Sequence, residues 1–334
     1  MPARPAQVPQ VFIGEPIMNL ESPRIGGRED RIESHAGAQA SARTSVHAYA
    51  AVRELAGLFK LRIGVVIAIT AWAGLAITPG PKPEWWQSLV LVLAVLVSSA
   101  AAGAYNQYYE HDVDRAMART ANRPFASGRL TRHWSWVGVI IMLTLGSVVA
   151  ATLATNWMAA LYTFLGSFVY AVVYTVWLKR RTWLNIVIGG LAGSFAVLAG
   201  AAAVTPALSP EAILLAVVLF LWTPPHFWSL AIAFRDDYVS AKVPMLPVVK
   251  GDRIAARAIF VNAILLVFAS IALLFTGQGW IYAVCAIGGG AYFLRACAAL
   301  MRDPIRPNAM RAFHASLLQL SLVLAGVMLE AAFR

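Results

Sequence analysis

Residues 133–178 read HWSWVGVIIMLTLGSVVAATLATNWMAALYTFLGSFVYAVVYTVWL, forty-six residues without one Asp, Glu, Lys or Arg. A helix crosses the hydrocarbon core of a bilayer with about 20 mostly apolar residues. The run is therefore long enough for two spans, and Thr155-Asn156 supplies the polar break between them. The same criterion extends outward. Charge also vanishes over 63–81, 85–109, 182–210, 212–234, 258–294 and 312–329, and the 37-residue run 258–294 holds two spans broken at Gly277-Gln278-Gly279. The expected helices lie at roughly 63–79, 86–107, 134–153, 157–177, 183–204, 211–233, 256–275, 280–299 and 311–330. This is an all-α polytopic membrane protein, a bundle of nine transmembrane helices.

Composition excludes a soluble alternative. The 334 residues are 59% hydrophobic and 13% charged, with a mean hydropathy of +0.66, against about 45–50% apolar and about 25% charged in soluble domains. A net charge of +11 would suggest nucleic-acid binding if the cations shared a surface, but they do not. Of 27 Lys and Arg, 25 precede the first span or fall in alternate loops, and only Lys82 and Arg334 lie on the other side. The positive-inside rule puts the N-terminus and the even-to-odd loops in the cytoplasm and the C-terminus outside. Trp85, Trp86, Trp157, Trp183 and Trp280 sit near the expected helix ends, where aromatic belts form.

Residues 1–54 are rich in Pro, Gly, Ser, Arg and Glu and read as a disordered cytoplasmic tail, with the nine-helix domain over 55–334. No basic segment leads into an apolar stretch there, so no cleaved signal peptide is expected. Glu15, Glu21, Glu29, Asp30 and Glu33 argue against an organelle transit peptide, so a bacterial inner membrane is the expected location rather than a mitochondrial one. Cys285 and Cys297 have neither metal-site nor disulfide spacing.

Two loops on the basic side concentrate polar chemistry. In the first, Asn106, Glu110 and Asp114 follow at i, i+4 and i+8. At about 100° per residue they drift about 40° per step and share one helical face. Oxygen side chains at the membrane end of a helix are costly unless neutralised. A hard divalent ion is their natural partner, and Mg²⁺ characteristically takes one or two carboxylates plus substrate phosphates. The competing reading is a solvated charged loop, but Asn106 lies too deep in the apolar run for that. Asp112 points about 200° from Glu110 on an ideal helix and joins only if the helix unwinds. The second loop follows Trp222-Thr-Pro-Pro-His226-Phe-Trp228 and holds Arg235-Asp236-Asp237-Tyr238 and Lys242-Val-Pro244-Met245-Leu-Pro247. The paired prolines are expected to break or kink the sixth helix. His226 beside them is either a satisfied structural group or a metal-capable imidazole among flat aromatic surfaces. Lys179-Arg180-Arg181 lies on the same side. With Arg119, Arg123 and Arg235 it can clamp a diphosphate, because Arg suits bidentate phosphate contacts. Most of the other cations only set topology.

These motifs resemble a known family. Asn106-xxx-Glu110-x-Asp112-x-Asp114-xx-Met117-x-Arg119-Thr120-xx-Arg123-Pro124 is similar to the first acidic motif of UbiA-type intramembrane prenyltransferases, in particular of their heme O synthase (protoheme IX farnesyltransferase) branch. Trp222-Thr-Pro-Pro-His226-Phe-Trp228, Asp236-Asp237-Tyr238 and Val243-Pro244-Met245-Leu-Pro247 resemble that branch's second motif. Tyr174-Thr175-xx-Leu178-Lys179-Arg180, Lys60-x-Arg62 and Phe313-xx-Ser316 also fit. The resemblance covers about 58–330. It implies farnesyl diphosphate as donor, heme b as acceptor, Mg²⁺ as cofactor and an active site opening to the cytoplasm. It implies Asn106, Glu110 and Asp114 as metal ligands with Asp112 and Asp237 assisting, and Arg119, Arg123, Lys179 and Arg180 on the diphosphate. His226 would meet the heme, and Tyr108, Tyr109 and Tyr238 would wall an allylic cation. Contact with a downstream heme-modifying enzyme is a further expectation of the resemblance. The sequence departs from the pattern in three places. Glu110 replaces the usual Asp. Phe234 and Tyr238 stand where a second Asp-xxx-Asp is common. Ala196-Val197 and Ala201 stand where relatives carry a proline pair and Trp, which suggests an altered acceptor pocket. Two alternatives stay open: prenylation of a quinone or chlorin ring, and a non-enzymatic heme- or ion-handling role. The first is disfavoured by Trp-Thr-Pro-Pro-His, and a transporter by the lack of a clear inverted repeat.

Overall fold

The computed structural model describes residues 52–333, and every regular element among them is helical. Residues 1–51 of the expected tail lie outside the described residues. Helix α1, Leu61–Ile77, follows a short helix, Val52–Leu58, across a 57° bend. Eight further helices are each long and apolar enough to span a bilayer: α2 Trp85–Tyr109, α3 Trp134–Ala154, α4 Trp157–Leu178, α5 Asn185–Val204, α6 Pro210–Ala233, α7 Asp252–Thr276, α8 Trp280–Arg302 and α9 Arg306–Ala332. Each of the nine expected segments falls on one of these helices.

Local chemistry sets the ends. Asn156 ends the α3–α4 turn by capping α4, its Oδ1 accepting from Met158 N and Ala159 N at 3.0 Å each. Its Nδ2 donates to Ala202 O of α5 at 2.7 Å, so one side chain starts a helix and fixes its neighbour. Asn156→Ala should cost about 1 kcal/mol, read as a lower unfolding temperature in detergent. Asn156→Asp keeps the cap, loses the donor, and should fall between. Ser209 caps α6 with Pro210 following, and Gly277, at φ 91°, ends the stretch from α7. Lys82, an exception to the charge asymmetry, donates to Leu75 O, Ala76 O and Thr78 O. It satisfies the carbonyls at the end of α1, where a cation is favoured.

Each helix packs on its successor, α9 returns to α1 to close the ring, and α1 also runs along α5. The α1–α5 seam depends on glycine. A Cβ on Gly74 would stand 2.1 Å from Val197 O, and one on Gly200 1.8 Å from Ala71 O. Small residues let backbones approach this closely in a membrane, where packing rather than the hydrophobic effect joins helices. Ala196, Val197 and Ala201 are buried, and the Val197 backbone meets Gly74. The substitutions expected to reshape an acceptor pocket therefore lie in or beside this seam. Helix α3 is the outlier, exposing Ile141, Met142, Val149 and Leu153, the face a lipid-contacting helix presents.

Two local forms differ from expectation. Helix α6 runs unbroken through Pro224 and Pro225. Membrane helices tolerate proline where neighbours re-satisfy the freed groups, here the carbonyls of Phe220 and Leu221. The second half of α4, Val169–Leu178, is a π-helix, a form rare at this length and frequent at functional sites.

Candidate active site

Helix α2 delivers Asn106 in its last turn. Glu110 sits at a hinge (φ −96°, ψ 18°), and a short helix, His111–Ala116, carries Asp114. Asp114 N still bonds Glu110 O at 2.8 Å, so the i, i+4, i+8 spacing survives the hinge. Asn106, Glu110 and Asp114 are 2%, 0% and 1% exposed. Asn106 Nδ2 donates to Glu110 Oε2 at 2.8 Å and to Thr175 Oγ1 at 3.1 Å. Lys179 Nζ donates to the same Glu110 oxygen at 2.5 Å. One Arg123 nitrogen reaches both oxygens of Asp114, at 2.7 and 2.8 Å.

The π-helix builds the facing wall. Lys179 N bonds Tyr174 O, and Thr175 Oγ1 donates to Tyr170 O, each reaching five residues back. The widened turn places Thr175 against Asn106 and starts the loop at Lys179. Tyr170 and Tyr174 stack at 5.7 Å, with Lys60 Nζ 5.6 Å from the first ring and Lys179 Nζ 5.7 Å from the second. Tyr108 and Tyr109, expected as walls, carry Arg132 and Arg180 over their rings instead.

Lys60 belongs to this cluster although its sequence position gave it no assigned role. It occupies the bend before α1 with φ +48°. Its Nζ donates to Asn106 Oδ1 at 2.6 Å and to Tyr170 OH at 3.0 Å. Gly103 leaves it room, since a Cβ there would sit 3.3 Å from the lysine chain. The only sequence signal was the Lys60-x-Arg62 motif.

The remaining expected residues are spread around this centre. Asp112 does not join Glu110 and Asp114. It pairs with Arg180 at 2.7 and 3.0 Å, both side chains being half-exposed. Partial burial works to raise the Asp112 pKa, but hydrogen bonds from Arg180 and the backbone, with the guanidinium charge, outweigh it and hold the carboxyl below its ordinary value. An exposed pair of this kind contributes at most about 1 kcal/mol. Arg119 donates to Tyr238 OH at 3.4 Å and lies over the Phe234 ring at 5.6 Å, with Arg306 also over that ring at 5.1 Å. The two positions that lack the second carboxylate pair thus hold a guanidinium. Asp237 is half-buried, with no side-chain hydrogen bond or ion pair to any described residue. Arg235, grouped with the clamp, pairs with Asp252 at 3.5 Å. An open cleft of about 370 Å³, lined by Asp112, Arg180 and Lys242 among others, joins the two polar loops. His226 is buried between Trp222 and Phe313, with ring centroids at 4.2 and 4.4 Å.

The centre suits a hard divalent cation. Glu110 Oε1 is buried without a hydrogen-bond partner, an atom left for a ligand. Among the described residues no three His, Cys, Asp or Glu side chains converge. The oxygen donors there are two carboxylates and an amide, a set that Mg²⁺ completes with phosphate oxygens; Glu110 Oε1 is the one without a partner, the others being held by Lys60, Arg123 and Lys179.

A ring of membrane-spanning helices with acids, amide and cations gathered at one end of the bundle is the architecture of an intramembrane enzyme for a charged-headed lipid. The chain matches the UbiA prenyltransferase family over residues 67–323 and belongs to it. It is 54% identical to protoheme IX farnesyltransferase 2 of Paramagnetospirillum magneticum, over 84% of this chain and 97% of that one. It is 39% identical to protoheme IX farnesyltransferase 1 of Cenarchaeum symbiosum, over 84% and 96%. Among solved structures, a digeranylgeranylglyceryl phosphate synthase superposes with a TM-score of 0.69 at 16% identity, over 85% of this chain and 99% of that one. A UbiA homolog from Archaeoglobus fulgidus bound to DMAPP and Mg²⁺ gives 0.63 at 15% identity, over 81% and 99%. These two establish the fold.

Proposed function

We propose that this protein transfers the farnesyl group of farnesyl diphosphate to a vinyl group of heme b, with addition of water, releasing diphosphate and giving heme O. The carrying observation is the buried cluster of Asn106, Glu110 and Asp114 against Lys60, Arg123 and Lys179, in a chain 54% identical to a protein named for this activity. Asn106, Glu110 and Asp114 would hold Mg²⁺, which supplies charge stabilisation for the departing diphosphate.

The chain's own residues do the rest. Arg123 and Lys179 would take the diphosphate, with Lys60 as a third cation and Arg119 and Arg180 further out. Asp112 and Asp237 would support those outer cations. The Tyr170–Tyr174 stack gives an allylic cation a polarizable wall and keeps water away. The bond from farnesyl C1 to diphosphate oxygen breaks, a new bond joins C1 to the terminal vinyl carbon, and water captures the remaining cation with loss of a proton. His226 faces the heme in this reading. The site opens to the cytoplasm of a bacterium whose inner membrane holds the protein, N-terminus inside and C-terminus outside, and product passes to a downstream heme-modifying enzyme.

Membranes containing the protein, given heme b, farnesyl diphosphate and Mg²⁺, should yield a heme heavier by one farnesyl and one hydroxyl group in mass spectrometry. No such product beside a working positive control would refute the reading, and prenylation of a quinone or chlorin ring in its place would reassign the acceptor.

A further inference from the structure

His226 is held by a hydrogen bond to Ser316, which also bonds the backbone of its own helix. A serine hydroxyl has one hydrogen to donate and lone pairs to accept with. Ser316 Oγ donates its hydrogen to Phe313 O at 2.7 Å. It also lies 2.8 Å from His226 Nδ1, and while its hydrogen rests on Phe313 O it accepts there. In that arrangement Nδ1 carries the ring proton, and the neutral imidazole keeps its lone pair on Nε2. Nε2 makes no hydrogen bond to any described residue, and it is not fully buried.

The ring cannot easily turn away from this arrangement. Trp222 and Phe313 stack on its two sides at 21° and 28°. Trp222 is itself pinned by its Nε1, donating to Ser316 O at 2.7 Å. One residue of α9, Ser316, thus holds both the imidazole and its stacking partner on α6. His226 lies eight residues before Phe234, about 12 Å along a helix. This places the imidazole deeper in the bundle than the ring that Arg119 covers.

Ligating histidines usually donate their second ring N–H to an oxygen, which fixes the tautomer and raises donor strength. We propose that His226 Nε2 is an axial ligand to the iron of the heme substrate and that Ser316 is the positioning residue that holds it in the ligating tautomer. The proposal rests on the heme-acceptor reading above. It assigns His226 a bond to iron, and it assigns Ser316 a role that its place in a Phe-xx-Ser motif does not specify.

The test uses the full chain, purified in detergent and titrated with heme b, with farnesyl transfer measured on the same preparation. Ferrous heme on the wild type should give an iron–histidine stretching band in resonance Raman. His226→Ala should lose it, and added imidazole should restore a ligated spectrum. His314→Ala, on the neighbouring residue of α9, should leave the band in place. Ser316→Ala should keep the band at lower frequency and weaken heme affinity about tenfold or more, a shift that a packing role alone would not produce. An iron–histidine band that persists in His226→Ala, or an unmoved band in Ser316→Ala, overturns the assignment. If that occurs while the wild type still farnesylates heme, the proposed function survives. A wild type that gives the histidine band but no farnesylated product supports the ligand and removes the function.

Discussion

Lys179→Ala should destabilise the protein by about 3–5 kcal/mol, the range for breaking a buried pair at one end. Glu110 is fully buried and its Oε2 is held by Asn106 and Lys179. Removing the ammonium leaves a carboxylate with one amide donor and no counter-charge in its ion pair. The double variant Glu110→Gln/Lys179→Met should recover most of that stability, because a buried pair replaced by neutral groups of similar volume is often harmless. It should not recover activity. Losing one preorganised electrostatic group at a reacting centre typically costs about 10²–10³ in kcat, and here both the carboxylate proposed for the metal and the cation proposed for the diphosphate are gone. Chemical unfolding in detergent and farnesyl transfer, measured on the same preparations, separate the two effects. A Lys179→Ala protein as stable as wild type would mean that Glu110 is not a buried charge held by this lysine.

Gly200→Val should prevent a folded protein from accumulating. A Cβ at 200 meets Ala71 O at 1.8 Å and both Ala71 C and Leu75 N at 2.8 Å. These are backbone atoms, so no rotamer change relieves the clash and α1 must move as a unit. Overpacking ordinarily costs about 1–3 kcal/mol, and this seam should lie at or above the top of that range. The displacement would also reach the site, because α1 begins immediately after Lys60. Gly193, on the same helix, has nothing within 4 Å of a Cβ. Gly193→Ala should fold normally and gain about 0.5–1 kcal/mol from helix propensity. Size-exclusion profiles and unfolding temperatures of the two variants make the comparison. Normal folding of Gly200→Val would show that α1 and α5 do not approach this closely.

The spans were legible because a bilayer imposes one simple requirement, length without charge, and the sequence displays it directly. Thr155-Asn156 marked a turn for the same reason that it makes one, an amide that caps the next helix. The α6 prolines leave their helix continuous, because an isolated helix would break there while a helix with packed neighbours does not. At the site, the spacing of Asn106, Glu110 and Asp114 forecast a common buried face, since i+4 steps along one element need no tertiary knowledge. Asp112 fell outside that face, as its helical angle indicated. Lys60, Tyr170 and Thr175 were not legible as site residues. They arrive from two other elements, one through a bend at positive φ and one through a π-helix, and neither form leaves a periodic trace. The partner of each carboxylate was equally hidden, because any of several loop cations could have filled the role.

The mutual pairing of Glu110 with Lys179 and Asp114 with Arg123 has a consequence for the membrane itself. A cleft of unpaired acids sunk into a bilayer would attract hydrated ions and protons, and each such visit is a step toward leakage across the barrier. Here each acid lies against a cation, so the cluster presents little net negative charge to the bilayer beside it.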